Sequence, residues 1–287
     1  MPSILNNILA QRNAHMRDTH IKFAEEGHKY TIVTDPNSKY TSVTTWNHSH
    51  FPKFDADDII SKMMKGKGWK EGHKYWGMTA EQIKQQWSDN GAAVAGAGTG
   101  MHYEIECFMN SVDVEYPYTH ADLYAVSQNV GGNDSLEWAY FIDFVKNTSH
   151  LKPYRTEWTI YHEDLKLAGS IDMVYENPDG TLAIYDWKRS KDITRTNPYK
   201  RFASTYSISH IPDSNFWHYA LQLNTYKAIL EAKYDKKVTD LYLVRLHPDA
   251  VEKSYELIKV PILEKEMTIL FDELKNILFA GVTEGVP

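Results

Sequence analysis

Residues 169–188, Gly-Ser-Ile-Asp-Met-Val-Tyr-Glu-Asn-Pro-Asp-Gly-Thr-Leu-Ala-Ile-Tyr-Asp-Trp-Lys, constrain the fold more than any other stretch, because their turn chemistry sets where two carboxylates and a lysine point. Asn177-Pro178-Asp179-Gly180-Thr181 predicts a three-residue hairpin loop: Pro178 presets the first turn position, Asp179 suits the second, and Gly180 can adopt the left-handed conformation. Asn177 then faces Thr181. Counting five residues back along each strand puts Asp172 opposite Asp186, and directly opposed side chains on one sheet face lie roughly 4.5–5.5 Å apart. A one-residue slip of register would send the two to opposite faces. Bare carboxylates at this range repel, so the pair requires a proton or a metal cation between them. Lys188, two residues past Asp186, shares its strand face. Two facing acids with a neighbouring lysine point to a hydrolytic metal site.

At 287 residues the chain is long enough for one large core without covalent staples. Its 42% hydrophobic and 24% charged residues are those of a soluble globular protein. No run reaches the ~18 apolar residues of a membrane span and no apolar signal segment opens the chain, so an intracellular, soluble protein is expected. Cys107 is the single cysteine, which excludes intrachain disulfides and any cluster held by several thiolates, an iron–sulfur cluster included. The net charge of −7 does not advertise nucleic-acid binding. The basic residues are nonetheless grouped. Lys62, Lys65, Lys67, Lys70 and Lys74 interleave with Trp69, Tyr75 and Trp76, and a second group comprises Lys188, Arg189, Lys191, Arg195, Lys200 and Arg201. Such groups suit a strand of phosphates with exposed bases, and equally a solvated face.

Alternation over 28–45 predicts a hairpin turning at Asp35-Pro36-Asn37-Ser38. Asp55 is placed to cap a helix from Ala56 to Met64, and Thr79 with Gln82 forms a capping box at the start of a long helical region. Gly91, Gly96, Gly98 and Gly100 predict a break before a second helix, Thr99 to Asn110. Residues 111–134 read as loop and Ser135–Thr148 as an amphipathic helix. Strands follow at about 153–162, 166–176 and 181–189, then a loop over 190–214. Asn215–Tyr234 predicts a helix with Phe216, Tyr219, Leu223, Tyr226 and Leu230 as its apolar stripe. Val238–Leu246 and Ser254–Val260 complete the strands, and Pro261 opens a terminal helix through Phe279.

Gly169-x-x-Asp172, Asp186-Trp187-Lys188 and Gln222-x-x-x-Tyr226, in this order, resemble the PD-(D/E)XK nuclease superfamily, and within it the RecB-like exonuclease branch. That branch places a histidine after a glycine on a preceding helix, and Gly98-Thr99-Gly100-Met101-His102 fits it. Glu157 fits a glutamate that the branch often carries on the strand before the Gly-x-x-Asp strand. The similarity spans about residues 98–226. It implies an α/β fold with a restriction-endonuclease-like core, a central mixed sheet of about four or five strands flanked by helices. Residues 98–287 would form that core and residues 1–97 a mostly helical N-terminal elaboration.

The resemblance also implies that His102, Asp172, Asp186 and the backbone carbonyl of Trp187 bind a divalent metal, Mg²⁺ or Mn²⁺, with Glu157 as a further candidate ligand. Lys188, Asp172 and Asp186 would be catalytic, the lysine orienting or deprotonating the attacking water or stabilising developing charge. Gln222 and Tyr226 would contact the substrate strand, together with Arg189 and Lys191 from the basic flank. Glu106, at i+4 from His102, would orient the imidazole. The expected activity is a metal-dependent deoxyribonuclease, an exonuclease on DNA that is single-stranded or has a free end, with no membrane association. The competing expectations are a restriction-like or structure-specific endonuclease, and a catalytically silent nucleic-acid-binding protein on the same fold.

Overall fold

The computed structural model describes residues 7–111, 113–127 and 133–283. Asn7 opens α1 (Ile8–Arg12) by accepting a hydrogen bond from Ala10 N at 2.8 Å, and Leu9 of this short helix is buried. β1 (Ile21–Ala24) and β2 (Lys29–Ile32) pair as an antiparallel hairpin with Ile21 opposite Ile32. The turn between them spans residues 25–28, where Gly27 and His28 take φ of 76° and 51°. The expected hairpin over 28–45 is thereby corrected: the chain reverses about ten residues earlier. Asp35 uses its carboxylate on the Tyr40 hydroxyl at 3.0 Å and on the Lys166 ammonium, which ties the segment to the main sheet instead of folding it back on itself.

β3 (Thr41–Ser42) leads directly into α2 (Val43–Ser49), capped by Ser42, whose Oγ accepts from Thr45 N at 3.0 Å. Asp55 caps α3 (Ala56–Lys65) as expected, accepting from Asp58 N at 3.0 Å. The Thr79/Gln82 capping box opens α4 (Ala80–Met109), which then runs unbroken for 30 residues. The predicted break before Thr99 does not occur. Each interior glycine costs about 1 kcal/mol relative to alanine, but Ala92, Ala93, Ala95 and Ala97 are interspersed, and the helix is anchored at both ends. Its first half buries Ile83, and its second half buries Met101, Ile105 and Met109. The stretch expected to be loop, 111–134, contains α5 (His120–Ser127); its residues 112 and 128–132 lie outside the described residues. α6 (Leu136–Asn147) lies within the expected helix 135–148, with Ser135 as its cap.

The sheet is built from β4 (Lys152–His162), β5 (Leu167–Glu176) and β6 (Leu182–Lys188), then, after α7 (Asn215–Lys233), from β7 (Val238–Arg245) and β8 (Glu256–Lys259). α8 (Glu264–Thr283) closes the chain; it begins three residues after Pro261, whose carbonyl accepts from Asn224 Nδ2 of α7 at 2.9 Å. With β3 the sheet has six strands and is mixed. β6–β7 and β3–β5 are parallel, whereas β4–β5, β5–β6 and β7–β8 are antiparallel. Strands β6 and β7 could be parallel only with a crossover, and α7 supplies it. One apolar core lies between the sheet and α2, α7 and α8; a second lies between the opposite face and α1, α4, α5 and α6.

The loop after β5 has the conformation its sequence predicts. Asn177 N donates to Thr181 O at 2.8 Å, Gly180 N donates to Asn177 O at 2.9 Å, and Gly180 has φ of 80°. The resulting ladder runs from Glu176 opposite Leu182 to Met173 opposite Tyr185. The ladder ends there: beyond it Trp187 N donates to the Asp172 carboxylate at 3.0 Å rather than to a backbone carbonyl. Because β4 occupies the whole of the other edge of β5, β6 and β3 must share one edge, β6 at residues 173–176 and β3 at residues 167–168. The fork between them, residues 169–172, is the Gly-x-x-Asp motif.

Candidate active site

Two irregularities shape the fork. Thr156 lies opposite Met173 and Trp158 opposite Ile171, which sets Glu157 against Asp172, and Glu157 takes a left-handed φ of 41°. A non-glycine residue in this region is strained and is held by its surroundings. On β5, Ile171 and Val174 join the α7-side core while Met173 and Tyr175 join the other, so the pleat loses phase at Asp172. These distortions turn Glu157 and Asp172 towards one point. Ser170 fixes the glutamate by donating its hydroxyl to Oε2 at 2.9 Å.

His102 reaches the same point from α4. Its Nδ1 is 3.5 Å from an Asp172 oxygen and 3.9 Å from a Glu157 oxygen, and its Nε2 is 3.0 Å from the Trp187 carbonyl. A carbonyl only accepts, so Nε2 carries a proton there and Nδ1 faces the two acids. Single donor atoms of His102, Glu157 and Asp172 lie within 4.8 Å of one another. The Trp187 ring is buried against Phe141 and Phe144, which anchors the strand that presents this carbonyl. Glu106, expected to orient the imidazole, does not face either ring nitrogen; its carboxyl lines the adjoining cavity, and burial raises its pKa.

Asp186 and Lys188 point to the α7 side of β6. Asp186 is 2% exposed, and one of its oxygens lies 2.6 Å from Lys188 Nζ. The same oxygen lacks a well-angled hydrogen-bond donor. Burial raises the Asp186 pKa, opposed by the Lys188 charge and reinforced by Asp172. Burial alone would depress Lys188, but Asp186 and Asp172 outweigh it and hold the ammonium above its ordinary pKa. A charged lysine suits orientation and charge stabilisation. Its Nζ also sits 4.5 Å over the Tyr219 ring of α7. Glu157 is pushed up to about 8, by enclosure first and by the Asp172 charge second.

The expected substrate contacts divide. Tyr226 is 3% exposed and its hydroxyl accepts from Gln222 Nε2 at 3.0 Å, so the tyrosine forms part of the floor of the fork and the glutamine its half-buried edge. Arg189 pairs with Glu137 of α6, Nε to Oε1 at 2.7 Å, while Lys191 is exposed. Sequence reasoning missed the β1–β2 hairpin as a wall of the site and missed Ser170; the hydroxyl two residues before Asp172, on its strand face, was the available signal.

The donor set fits a hard divalent cation. Two carboxylates and an imidazole nitrogen converge, a third carboxylate has an oxygen without a well-angled donor, and the Asp172 charge raises the pKa of Glu157 beside it. No helix among the described residues is long and apolar enough to cross a membrane. No curated protein matches the chain at a significant level. A family model described as the PD-(D/E)XK nuclease superfamily matches residues 126–285, which takes in β4–β8 with both acids and the lysine but not His102. With the two acids and the lysine of the motif placed around one fork of a mixed sheet, the chain belongs to the PD-(D/E)XK nuclease superfamily.

Proposed function

We propose that the protein is a Mg²⁺- or Mn²⁺-dependent deoxyribonuclease of the RecB-like branch, an exonuclease acting on single-stranded DNA ends. The superfamily accounts for the coarser part, a metal-dependent nuclease with a nucleic-acid substrate. The observation that supports the branch is His102, whose imidazole lies 3.5 Å from Asp172 and 3.0 Å from the Trp187 carbonyl.

In this reading His102, through Nδ1, holds the cation with Asp172 and Asp186, and Glu157 extends the donor set; the Trp187 carbonyl, expected as a further ligand, instead takes the hydrogen bond from His102 Nε2 on the opposite side of the ring and so orients the imidazole. The cation, when bound, supplies Lewis acidity at the scissile phosphate and acidifies a water for attack on phosphorus. Lys188, held charged by Asp186 and Asp172, orients that water and balances negative charge as it builds on the phosphate. Lys191 meets a neighbouring phosphate of the strand. Gln222 lies at the strand's edge, with Tyr226 beneath it as support. Residues 98–287 carry most of the nuclease core, which also takes in β3 and α2 from the N-terminal part, and the expected boundary at residue 97 falls inside the continuous helix α4. Residues 1–97, whose Lys- and Trp-rich segment flanks α4, form an elaboration that covers the site and admits one strand.

End-labelled linear and covalently closed circular single strands, incubated with Mn²⁺, Mg²⁺ or EDTA, test this. The expected outcome is progressive shortening of the linear strand with either metal, intact circles, and no reaction in EDTA. Cleavage of circles would make the protein an endonuclease. Binding without cleavage under every metal would leave a silent nucleic-acid-binding fold.

A further inference from the structure

A cavity of about 650 Å³ adjoins the metal-ligating cluster on the side away from Lys188. His102, Glu157 and Ser170 belong to its lining, so it opens directly onto the reacting centre. Its far wall is the β1–β2 hairpin, which presents Phe23, His28 and Tyr30. These rings form a cluster: Phe23 and Tyr30 are 4.8 Å apart and tilted by 36°, and His28 meets Phe23 edge-on at 5.1 Å. Phe23 is 38% exposed, a large apolar ring kept open beside polar groups. The tight turn that aims His28 holds it at φ of 51°, a conformation that persists only where the surroundings impose it.

The charge of the lining is one-sided. Glu25, Glu106 and Glu157 line the cavity, and among the described residues it has no lysine or arginine. A phosphodiester chain running through it would pass Glu25 and Glu106 with no lysine or arginine of the lining to meet its phosphates. A neutral, flat, amino-bearing group would meet aromatic faces and acceptors instead. Nucleobases have this chemistry: each has a π-face for stacking, and adenine, cytosine and guanine carry exocyclic amino donors.

We propose that this cavity takes the base of the last nucleotide of a strand, stacked on Phe23 with Glu25 and Glu106 accepting from its amino groups, while the adjoining phosphate lies at His102, Asp172 and Asp186. The acidic, hairpin-closed wall admits a terminus and turns away a continuing backbone. The inference rests on the nuclease reading above and adds to it the part of the substrate that sets the cleavage point.

The test is equilibrium binding of single-stranded oligonucleotides to the full chain, with Ca²⁺ in place of Mg²⁺ or Mn²⁺ to keep the strand intact. An abasic residue is placed at the 5′ terminus, at the 3′ terminus, or at an internal position. Loss of the base at one terminus should weaken binding about tenfold, and loss of an internal base far less. Phe23→Ala should weaken the intact strand to a similar degree and add nothing with the abasic terminus, the non-additivity expected of two groups that touch. Phe23→Trp should retain wild-type binding and its sensitivity to the terminal base. Equal sensitivity at terminal and internal positions, a Phe23→Ala loss fully additive with the abasic loss, or no binding of either strand overturns the proposal. Cleavage of unmodified strands with Mn²⁺ is scored separately. Cleavage without terminal sensitivity keeps the nuclease reading and removes the pocket; terminal sensitivity without cleavage does the reverse.

Discussion

Gly169 and Tyr226 occupy one another's space: a Cβ built on Gly169 would lie 2.7 Å from Tyr226 Cε1 and 3.2 Å from Val43 Cβ and Cγ2. The glycine of the Gly-x-x-Asp motif is thus a packing requirement, since it lets the α7 ring lie flat against β5 three residues before Asp172. Gly169→Ala should cost about 1–3 kcal/mol through overpacking, read as a lower urea midpoint at unchanged slope. Tyr226→Phe keeps the ring and loses the hydrogen bond from Gln222, so strand binding should stay within a few-fold of wild type. A tenfold or greater loss would show that the hydroxyl touches substrate.

Lys188 neutralises a nearly inaccessible carboxylate, so its removal acts on stability as well as chemistry. Lys188→Ala should reduce the cleavage rate about 10²-fold or more and, in EDTA near pH 7, destabilise the fold by about 3 kcal/mol because Asp186 is left buried and unpaired. The double variant Asp186→Asn/Lys188→Met should recover most of that stability in urea unfolding and none of the activity. Recovery of cleavage in the double variant would count against both assigned roles.

How far these roles were readable from the chain depended on how local their causes are. The register that runs from Glu176 opposite Leu182 to Met173 opposite Tyr185, just short of Asp172 and Asp186, follows from five loop residues, Asn177 to Thr181, each with its own turn preference. Caps at Asp55 and Thr79 are local in the same way, and each helix begins where its cap predicts. The unbroken α4 was not readable, because the glycines' cost is local and the anchoring of Met101, Ile105 and Met109 is tertiary. α5 escaped notice for a similar reason: His120, its first residue, is stabilised by Thr148 and Tyr175, far along the chain. Glu157 was legible as a candidate but not its left-handed backbone, which falls between Thr156 opposite Met173 and Trp158 opposite Ile171 and so has no local turn signal to announce it.

Arg189 and Lys191 came from one basic cluster, yet they stand in different surroundings. The Arg189 guanidinium is committed to Glu137, with both side chains largely buried, whereas Lys191 is exposed. Lys191→Ala should lower the slope of log affinity against log salt for single strands by about 0.7, the value for one phosphate left without its cation. Arg189→Ala should leave that slope unchanged and lower the unfolding free energy instead. A salt slope reduced equally by both would return the arginine to the substrate path.

His120 provides an acid-sensitive element away from the fork. Thr148 donates its hydroxyl to the Phe144 carbonyl at 2.5 Å, so its oxygen accepts from His120 Nδ1 at 2.9 Å, and Nε2 then accepts from the Tyr175 hydroxyl at 2.9 Å. Every proton in this hydrogen-bonded series is assigned to a neutral ring, and burial lowers the His120 pKa to about 3. The unfolded chain binds this proton below about pH 6.5 and the folded chain does not. Stability from this group is therefore full above pH 6.5 and declines as pH falls towards 3, by about 1.4 kcal/mol per pH unit. His120→Gln should be less stable at pH 8 but show a shallower loss between pH 6 and 4 in parallel urea titrations. His162, lowered to about 4 by burial, adds a decline of the same sign that the variant retains.

Glu157 titrates in the opposite sense. Its folded pKa of about 8 lies above the ordinary carboxyl value, so the folded, metal-free protein keeps a proton that the unfolded chain has released. Between about pH 4.5 and 8 the unfolded state binds fewer protons, and this group's contribution to stability falls as pH rises. A divalent cation at His102, Glu157 and Asp172 replaces the proton, so binding should release protons near pH 7 and tighten as pH approaches 8. Thermal unfolding in EDTA and in Mn²⁺ across pH 5–8 should show a metal-induced stabilisation that grows with pH. Glu157→Gln should flatten the EDTA profile and weaken the growth of the Mn²⁺ effect, while His102→Ala should weaken the Mn²⁺ effect at every pH and leave the downward EDTA trend in place. A metal effect independent of pH in the wild-type protein would mean that Glu157 stands outside the cation's donor set, with His102, Asp172 and Asp186 carrying it.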